Sequence, residues 1–500
     1  MNQTAKIICC SAPGKVLVTG GYLVLDRQYE GIVFTVDSRF YSFASGYSDA
    51  LKTTLVADTD YKYCCNIIVN SPQFKSSQEY QLYRNSNSTQ PYKLVPKNPE
   101  SYRENKYVEN TILYTMIATE AIISESHPEK SIESLLKNHL SITIVGDNGF
   151  YSQIPQLKER GLSITYDSLK QLPDFLPVTG TLQEIQKTGL GSSAALVSSL
   201  TSSLLCYFGL IDLNKSEDKQ LLHNLAQICH CIAQGKIGSG FDISSAVYGS
   251  QVYRRFSPSV IQEILDLYDK QQFPSSQNLY KIIKSVKWDN DHNDMPLPPG
   301  LKLMLADVSI GSNTPVMVRK ILEWRKSNPE ESLQIWTDIN KNNSLVKDAF
   351  SALIELSKSN STQYHQDLKS SSLIDQNDWK NEQSVVIRQL VKIRESFLEI
   401  RRLMRLMGEK ADVPLEPKEQ TQLADETMSQ FGCIAAGVPG AGGFDALFAI
   451  IIDNELTSAT VKSTWMNYKE CQVLALLLEE DPKGCQIDEK HSLSKFKINL

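Results

Sequence analysis

The segment KTGLGSSAA, at positions 187–195, has the composition of a loop that binds phosphate. Gly189 and Gly191 allow the backbone to approach a bulky anion because neither carries a Cβ. Ser192 and Ser193 follow where an apolar run begins, so they are predicted to cap a helix and to place hydroxyls beside its first free N–H groups. The start of a helix carries roughly half a positive charge, which favours phosphate. The predicted nucleotide-binding residues are Lys187, Thr188, Gly189, Leu190, Gly191, Ser192, Ser193 and Ala194.

Two other interpretations of this segment remain open from its residues alone. A glycine-rich turn before serines is also common as a plain helix start. GLGSSA further fits the looser dinucleotide fingerprint, with Asp212 as the acid that would bind ribose. That interpretation requires a strongly apolar strand before the glycines, and TLQEIQKT is a poor one. A Walker-type loop is excluded, since no lysine follows the glycines.

Two more glycine-rich turns lie near the ends of the chain. Residues 7–26, IICCSAPGKVLVTGGYLVLD, read as two apolar runs around a Pro-Gly turn and Lys15. Residues 433–451, CIAAGVPGAGGFDALFAII, place Gly440, Gly442 and Gly443 between two apolar segments, with Asp445 just beyond. Glycine and proline are ordinary punctuation between strands, so each turn taken singly is compatible with a plain strand–turn–strand.

Taken in order, the three turns resemble the three signature motifs of the GHMP kinases, the superfamily of galactokinase, homoserine kinase, mevalonate kinase and phosphomevalonate kinase. The segments SAPGKVLVTGGYLVL, KTGLGSSAALV, AQGKIGSGFDISSAVYGS and GVPGAGGFDALFAI most resemble the fungal-type phosphomevalonate kinases. The resemblance implies transfer of the ATP γ-phosphoryl group to (R)-5-phosphomevalonate. The products would be 5-diphosphomevalonate and ADP, on the mevalonate route to isoprenoids and sterols.

Two catalytic residues follow from the resemblance. Lys15, in SAPGK, matches the lysine of the first motif, and Asp242, in GSGFD, matches the active-site aspartate. The acceptor would be a phosphate monoester, whose second pKa is about 6, so it is already largely ionised at pH 7. Joining two polyanions is then a larger barrier than removing a proton, which favours cations over a base. We expect Lys15 and the metal to contribute most to the rate, and Asp242 to orient Lys15 and the acceptor.

The resemblance also implies ATP and Mg²⁺ as cofactors, with one departure from the family pattern. Mevalonate kinases carry a glutamate ahead of the active-site aspartate as a Mg²⁺ ligand. The residues around that position here are Gln227, His230 and Gln234, and no carboxylate is available. Because Mg²⁺ often keeps several waters, we expect it on Ser193, with Ser192 as the alternative, and on the nucleotide phosphates.

A further set of residues flanks the family-like segments and is predicted to bind the acceptor and its phosphate. An acidic protein that binds two anions needs a local positive pocket, and some of these residues would contribute to it. The set is Lys106, Lys236, Ser239, Gly440, Ala441, Gly442, Gly443 and Asp445.

Composition restricts the possible partners. The chain has 51 Lys and Arg against 57 Asp and Glu, a net charge of −6, and no long basic tract, which argues against nucleic acid as a partner. No apolar run is long enough to span a membrane and no signal-peptide core is visible, so we expect a cytoplasmic protein that is a monomer or a weak oligomer. The 10 cysteines are scattered. Cys229, His230 and Cys231 lie on an apolar helical pattern and are interpreted as core.

The elements that must position these residues indicate an α+β protein. The predicted architecture is a two-domain GHMP-kinase-like fold with the nucleotide site in the interdomain cleft. Residues 1–265 would form an ATP-binding domain, 266–300 a polar connector and 301–500 a C-terminal α/β domain. Strands are predicted at 6–10, 16–19, 31–36, 41–46, 140–145, 251–256 and 301–307. Helices are predicted at 107–124, 216–234, 382–407, 418–431 and from about 315, a hairpin or loop at 71–90 and an exposed loop at 357–380.

Three other functions would use these residues differently. Another GHMP kinase, such as mevalonate kinase, would use the same three motifs on a different acceptor. A non-catalytic nucleotide sensor would have no reason to keep Lys15, Ser193 and Asp242 together. An NAD-dependent oxidoreductase built on GLGSSA would bind a nicotinamide cofactor.

Overall fold

The structure, a computed structural model, describes residues 6–48, 60–85, 89–178, 185–308 and 314–488. Its strands are β1 (Ile7–Leu17), β2 (Glu30–Tyr47), β3 (Lys62–Ser71), β4 (Ser76–Arg84), β5 (Tyr92–Pro96), β6 (His139–Gly146), β7 (Gln251–Arg254), β8 (Asp291–Asp294), β9 (Leu301–Asp307), β10 (Cys433–Gly437), β11 (Ala446–Ile452), β12 (Leu474–Ala475) and β13 (Gln486–Asp488). Its α-helices are α1 (Lys106–Ser126), α2 (Ile132–Leu135), α3 (Ile154–Glu159), α4 (Tyr166–Leu169), α5 (Ser192–Tyr207), α6 (Ser216–Gln234), α7 (Phe241–Tyr248), α8 (Ser259–Asp269), α9 (Ser276–Tyr280), α10 (Thr314–Ser327), α11 (Pro329–Ser359), α12 (Ser361–Ser371), α13 (Val385–Ala411), α14 (Lys418–Met428) and α15 (Glu455–Asn467).

A large mixed sheet occupies the first half of the chain. Its main path runs β13-β1-β2-β6-β3-β4-β5; off this path β7 pairs with β2, and β8 pairs with β7. All pairs are antiparallel except β3 with β6. The helix α5 packs across β1 and β2, with α1, α6 and α7 around it. Since α5 is buried along most of its length, the hydroxyls of Ser199, Thr201, Ser202 and Ser203 donate to carbonyls of their own helix.

The second half of the chain contains a smaller antiparallel sheet and the longest helices. The strand order is β10-β11-β9-β12, and β11, in the middle, is buried at every residue. The helices α13 and α14 pack against β10, and α11 packs against α13. The two sheets with their helices confirm the predicted α+β class and the two-domain GHMP-like architecture. None of the described helices is long and apolar enough to cross a membrane.

The first glycine-rich motif is not a turn, which corrects the sequence interpretation. The strand β1 runs through Pro13 and Gly14 without ending, and its pairing with β2 shifts register between these two residues. Such a bulge keeps the strand in the sheet while it redirects the side chains that follow. Lys15 therefore extends from a buried strand rather than from a loop.

Two segments predicted to be polar and irregular are ordered. The prediction of an exposed loop at 357–380 is wrong. This segment contains the end of α11, the whole of α12 and the start of a short 3₁₀ helix, Trp379–Asn381. The side chain of Asn360 caps α12, and Tyr364, Leu368 and Trp379 are buried, so polar composition concealed a helix with a narrow apolar face.

The predicted connector at 266–300 also contains structure. It holds the end of α8, the helix α9 and β8, and its side chains Leu279, Ile283 and Trp288 are buried in the main core. At the other end of the chain, β13 returns to pair with β1 in the first sheet. The domain bounds 1–265, 266–300 and 301–500 stay predictions, but the first sheet draws strands from beyond 265 and from the C-terminal segment.

Candidate active site

Lys15 lies at the centre of the candidate site. Its backbone N–H donates to the Leu190 carbonyl at 2.9 Å, and its Nζ donates to the Gly189 carbonyl at 2.7 Å. The ammonium also lies 5.3 Å from the centre of the Phe241 ring. Burial lowers the pKa of Lys15 from its usual 10.5, and the charge of Asp242 opposes that shift. The first two motifs are thus in direct contact through one lysine.

The second motif turns sharply into α5, and glycine rather than serine occupies its N-cap. Gly191 has φ +77° and no side chain caps the helix, so the predicted capping role of Ser192 and Ser193 is wrong. A Cβ at Gly191 would come within 3.1 Å of the Lys15 Cε. The absence of that Cβ therefore allows Lys15 to lie against the loop. The Ser193 hydroxyl is left for another partner, described below.

Of the remaining residues of this loop, some are buried in the core and others are exposed to the cleft or to solvent. Thr188 is buried and its hydroxyl donates to the Gly149 carbonyl at 2.6 Å. Leu190 and Ala194 are buried in the core. Lys187 is exposed at the entrance of the loop, and Gly189 faces open space, since a Cβ there would meet nothing within 4 Å. No extended strand precedes the glycines within residues 185–188, which argues against the dinucleotide interpretation.

Asp242 lies in the first turn of α7, opposite the start of α5. Gly240 caps this helix with φ +84°, and Asp242 Oδ1 accepts from the Ile243 N–H at 3.0 Å. The preceding Ser239 is held by its carbonyl, which accepts from the Tyr253 hydroxyl at 2.8 Å. His230 Nε2 lies 3.9 Å from the Asp242 carboxylate. Lys15 interacts electrostatically with the same carboxylate from a greater distance.

A small polar cluster fills the space between Ser193 and Asp242. Ser193 Oγ is 3.0 Å from His230 Nε2, and Gln234 Nε2 is 3.2 Å from the same ring nitrogen. Burial lowers the pKa of His230, and the nearby Asp242 opposes that shift. Tyr107 completes the cluster, with its ring centre 5.8 Å from that of His230.

The sequence pattern assigns His230 to the core, because it lies between two cysteines on an apolar helical pattern. It is indeed buried, with 3% of its surface exposed, while Cys229 and Cys231 face the core. The available signal was its spacing: His230 and Gln234 are four residues apart on α6, so both reach the same side of the helix. That side faces the start of α5.

The third motif is the turn between β10 and β11, and it packs against the first motif. The Gly440 N–H donates to the Leu17 carbonyl at 3.0 Å, and the Tyr22 hydroxyl donates to the Ala441 carbonyl at 2.8 Å. From behind, the Leu415 carbonyl accepts from the Gly443 N–H at 2.8 Å. A Cβ on Gly442 would lie 2.1 Å from that same carbonyl oxygen, so position 442 has no space for a larger residue.

The three motifs surround one cavity of about 220 Å³. Its lining includes Lys15, Tyr22, Gly189, Ser239, Phe241, Thr314, Gly440, Ala441, Gly442 and Asp445. Of the residues predicted to bind the acceptor, Lys106 and Lys236 are exposed on the surface, and these two and Gly443 do not line the cavity. Ser192 lies beside Ser193 in the first turn of α5, half-buried.

A second cavity of about 260 Å³ adjoins the start of the second motif, residues 187–194, which we call the phosphate loop. Its polar lining consists of neutral groups, including Gln73, Asn148, Tyr151, Gln153 and Gln156, and the chain leads from it directly to Lys187. Neutral amides can both donate and accept hydrogen bonds, which suits an uncharged heterocycle. The two cavities thus differ in chemistry: the first is lined by the Lys15 ammonium and the Asp445 carboxylate, and the second by uncharged groups.

The donor set fits Mg²⁺ held mainly by nucleotide phosphates. Ser193 and Asp242 supply hard oxygen atoms on the same side of α6. Among the described residues, no group of three or more His, Cys, Asp or Glu side chains could by itself enclose a metal. Mg²⁺ usually keeps several waters and takes one or two protein oxygens beside substrate phosphates, which matches this arrangement.

Comparison with known proteins identifies the class. The model for the GHMP kinases N terminal domain matches residues 156–250, and that for the GHMP kinases C terminal region matches residues 387–466. The fold is similar to that of a Streptococcus pneumoniae phosphomevalonate kinase solved with phosphomevalonate and AMPPNP, with a TM-score of 0.55 at 14% identity over 95% of this chain and 100% of that one. Fold and motifs are those of a GHMP kinase.

Sequence relatives narrow this class to one family. The chain is 38% identical to a peroxisomal phosphomevalonate kinase of Arabidopsis thaliana, over 95% of each chain. It is 35% identical to a phosphomevalonate kinase of Aspergillus fumigatus, over 93% of this chain and 92% of that relative. The chain belongs to the phosphomevalonate kinase family.

Proposed function

We propose that this protein is the kinase that transfers the γ-phosphoryl group of ATP to (R)-5-phosphomevalonate, giving 5-diphosphomevalonate and ADP. The observation that carries the proposal is the position of Lys15, which contacts the phosphate loop at Gly189 and lines the same cavity as the third motif. Such transfer depends mostly on positioning and on charge neutralisation. A lysine shared by all three motifs can serve both.

Lys15 would lie between the donor and acceptor phosphates. Its ammonium is already fixed by the Gly189 carbonyl and the Phe241 ring, so little reorganisation accompanies the reaction. Within the described part of the chain no carboxylate lies within ion-pair distance of Lys15, so this half-buried cation is well suited to receive an anion. The arrival of phosphate charge would favour the protonated form, opposing the effect of burial on its pKa.

Asp242 would orient the acceptor and Lys15 rather than act chiefly as a base. Its carboxylate lies at the start of α7, where the Ile243 N–H holds one oxygen. Since the acceptor phosphate is largely ionised above its second pKa of about 6, a strong base has little to remove at neutral pH.

The residue we propose for the metal is Ser193, with Asp242 close by. Mg²⁺, when bound with ATP, would supply charge neutralisation at the β- and γ-phosphates. The start of α5 would add its free N–H groups to the same phosphates, through the loop from Lys187 to Ala194. The neutral second cavity, next to this loop, would take the purine.

The acceptor would enter the cavity lined by Ser239, Thr314 and the third motif. Gly440, Ala441 and Gly442 supply backbone there, and Asp445 supplies a carboxylate. Lys106 and Lys236 stay predicted ligands of the acceptor phosphate, which they would reach only if the cleft closed around the bound acceptor.

A coupled assay of ADP release tests the function directly. Purified protein is given ATP and, in separate reactions, mevalonate, phosphomevalonate or diphosphomevalonate. We expect ADP release only in the reaction that contains phosphomevalonate. Turnover with mevalonate would instead indicate a mevalonate kinase, and nucleotide binding without turnover on any of the three would indicate a sensor.

Location and assembly are also proposals. We propose a cytoplasmic protein that is a monomer or a weak oligomer. The Arabidopsis relative is described as peroxisomal, so a fluorescent fusion at each end of the chain, imaged beside a peroxisomal marker, is the decisive measurement. Light scattering of the purified protein gives the oligomeric state.

A further inference from the structure

We propose that His230 is a positioning residue that orients the Ser193 hydroxyl, so that an oxygen lone pair of Ser193 faces the metal bound with the nucleotide. The inference rests on the proposed function, since it concerns the same metal site. It assigns a role to a buried side chain that the reaction itself does not require.

The direction of the hydrogen bonds follows from the partners of one atom. His230 Nε2 is 3.2 Å from the amide nitrogen of Gln234. With the Gln234 amide in this orientation its nitrogen donates, and the tautomer that satisfies the contact has His230 Nε2 as an acceptor without a proton. The Ser193 hydroxyl, 3.0 Å from the same nitrogen, can then only donate to it.

This direction matters for what the Ser193 oxygen presents to the cleft. A hydroxyl has one proton and two lone pairs. Its proton is directed at His230, toward the interior, which leaves the lone pairs available to a cation. Without an acceptor at position 230 the hydroxyl could turn to its other neighbour, the Tyr107 hydroxyl, or toward the cleft, where its proton would face the metal part of the time.

The surroundings keep the imidazole in place. His230 is buried on α6, and Tyr107 lies beside its ring on α1. The Asp242 carboxylate is 3.9 Å from Nε2, too far for a hydrogen bond, so Asp242 is not what fixes the ring. Groups that orient a metal ligand in this way commonly change metal affinity by about 10–100-fold when they are removed.

The test compares three substitutions at two histidines of the same helix. His230→Leu removes the acceptor, whereas His230→Gln keeps one, because Gln Oε1 can reach the position of His Nε2. His223→Leu is the matched control: His223 is equally buried on α6, but it contacts Asn224, Tyr248 and Trp288 instead of the site. Thermal unfolding of each variant reports the structural cost alone.

The main readout is Mn²⁺ binding in the presence of a non-hydrolysable ATP analogue, measured by water-proton relaxation, which needs no turnover. We expect His230→Leu to raise the Mn²⁺ dissociation constant about tenfold, with His230→Gln and His223→Leu within about threefold of the unmodified protein. The Mg²⁺ concentration for half-maximal rate should follow the same order. In a Ser193→Ala background, His230→Leu should have almost no further effect.

The outcomes separate this inference from the function on which it rests. Unmodified protein that binds no Mn²⁺ with the nucleotide analogue would overturn the proposed metal site, and this inference with it. Unmodified protein that binds Mn²⁺, together with an unchanged constant for His230→Leu, would overturn the role of His230 alone. Equal losses in His230→Leu and His223→Leu, or an undiminished loss in the Ser193→Ala background, would reduce His230 to a structural residue.

Discussion

At the scale of single residues, the site depends on a lysine placed where its charge is only partly compensated. Lys15 donates to a neutral carbonyl and lies over an aromatic ring, and its carboxylate neighbour Asp242 is beyond ion-pair distance. A cation held in this way costs some folding free energy, which phosphate binding recovers. Lys15 is therefore the first residue to test.

Lys15→Ala should lower kcat by about 10²–10³-fold, the usual loss for one preorganised charge donor, or about 2.7–4 kcal/mol. The KM for ATP should change much less, because the loop and the start of α5 still hold the nucleotide. Steady-state kinetics with both substrates measures the two effects. A kcat within about threefold of the unmodified value would remove Lys15 from the groups that stabilise the transition state.

The pKa of Lys15 gives a prediction for alkaline pH. Burial places this pKa below the usual 10.5, and only the protonated amine can hold phosphate. The kcat/KM for ATP should therefore fall as pH rises through the lowered pKa of the free enzyme. Lys15→Arg should move that fall to higher pH, since arginine stays charged. An alkaline limb at the same pH in both proteins would assign it to another group.

Asp242→Asn distinguishes an organiser from a base. If Asp242 were mainly a base, the loss at neutral pH would recover as the acceptor deprotonated with rising pH. If it mainly orients Lys15 and the acceptor, the loss should be nearly level above the acceptor pKa of about 6. We expect a level loss between pH 7 and 9. A log kcat that climbs with unit slope in the variant, where the unmodified enzyme is flat, would make Asp242 the base.

Local sequence patterns point to some residues of the candidate site and not to others, for a physical reason. Lys15, Ser193 and Asp242 lie beside glycines, in segments whose glycines and polar side chains form a visible local pattern. His230 lies on the buried face of α6, so local composition assigns it to the core, and Tyr107 lies at the start of α1, where no local pattern marks it as a site residue. Their proximity to the site depends on how α1 and α6 pack against α5, which no local pattern contains.

At the scale of elements, the phosphate loop is set by two glycines with different neighbours. Gly189 and Gly191 have φ of +79° and +77°, yet a Cβ at Gly189 would face open space and one at Gly191 would press on Lys15. Alanine at either position carries a similar backbone cost, about 1–2 kcal/mol. The two substitutions should nevertheless differ in function.

We expect Gly189→Ala to raise the KM for ATP, because its methyl group would occupy the space open to phosphate. Gly191→Ala should mainly lower kcat, because its methyl group displaces Lys15. Gly161→Ala is the control for backbone strain, since Gly161 has φ +65° and open surroundings away from the cavity. The same balance of KM and kcat effects in both loop variants would contradict this division.

Element prediction succeeded where apolar periodicity was strong. The bounds predicted for the helix at 216–234 and the strand at 301–307 are those of α6 and β9. It failed where polar surface residues outnumber the buried ones, as at 357–380, and where a bulge continued a strand through Pro13 and Gly14. In both cases long-range packing supplied what the local sequence did not show.

At the scale of the whole molecule, the C-terminal segment ties the second half of the chain back to the first sheet. After β12 the chain returns along β2, where the Asp481 N–H donates to the Thr35 carbonyl at 3.0 Å, and then pairs as β13 with β1. The buried side chain of Arg39, on β2, binds this return segment, residues 476–488. Its guanidinium donates to the carbonyl of Gly484 and to the Ser11 hydroxyl, and it pairs with Asp481 at 3.2 Å.

Arg39→Lys should therefore affect stability and not chemistry. Lysine keeps the charge but loses the planar fork that satisfies several acceptors at once, and each buried acceptor left without a partner costs about 1–3 kcal/mol. We expect the unfolding temperature to fall by several degrees, while kcat measured well below it stays within about threefold of the unmodified value. Asp481→Asn should cost less, because Asp481 is partly exposed and such pairs contribute about 0–1 kcal/mol. Scanning fluorimetry gives the unfolding temperature and steady-state kinetics gives kcat. A kcat that falls as far as in Lys15→Ala would show that the return segment shapes the cleft as well as holding the two halves of the chain together.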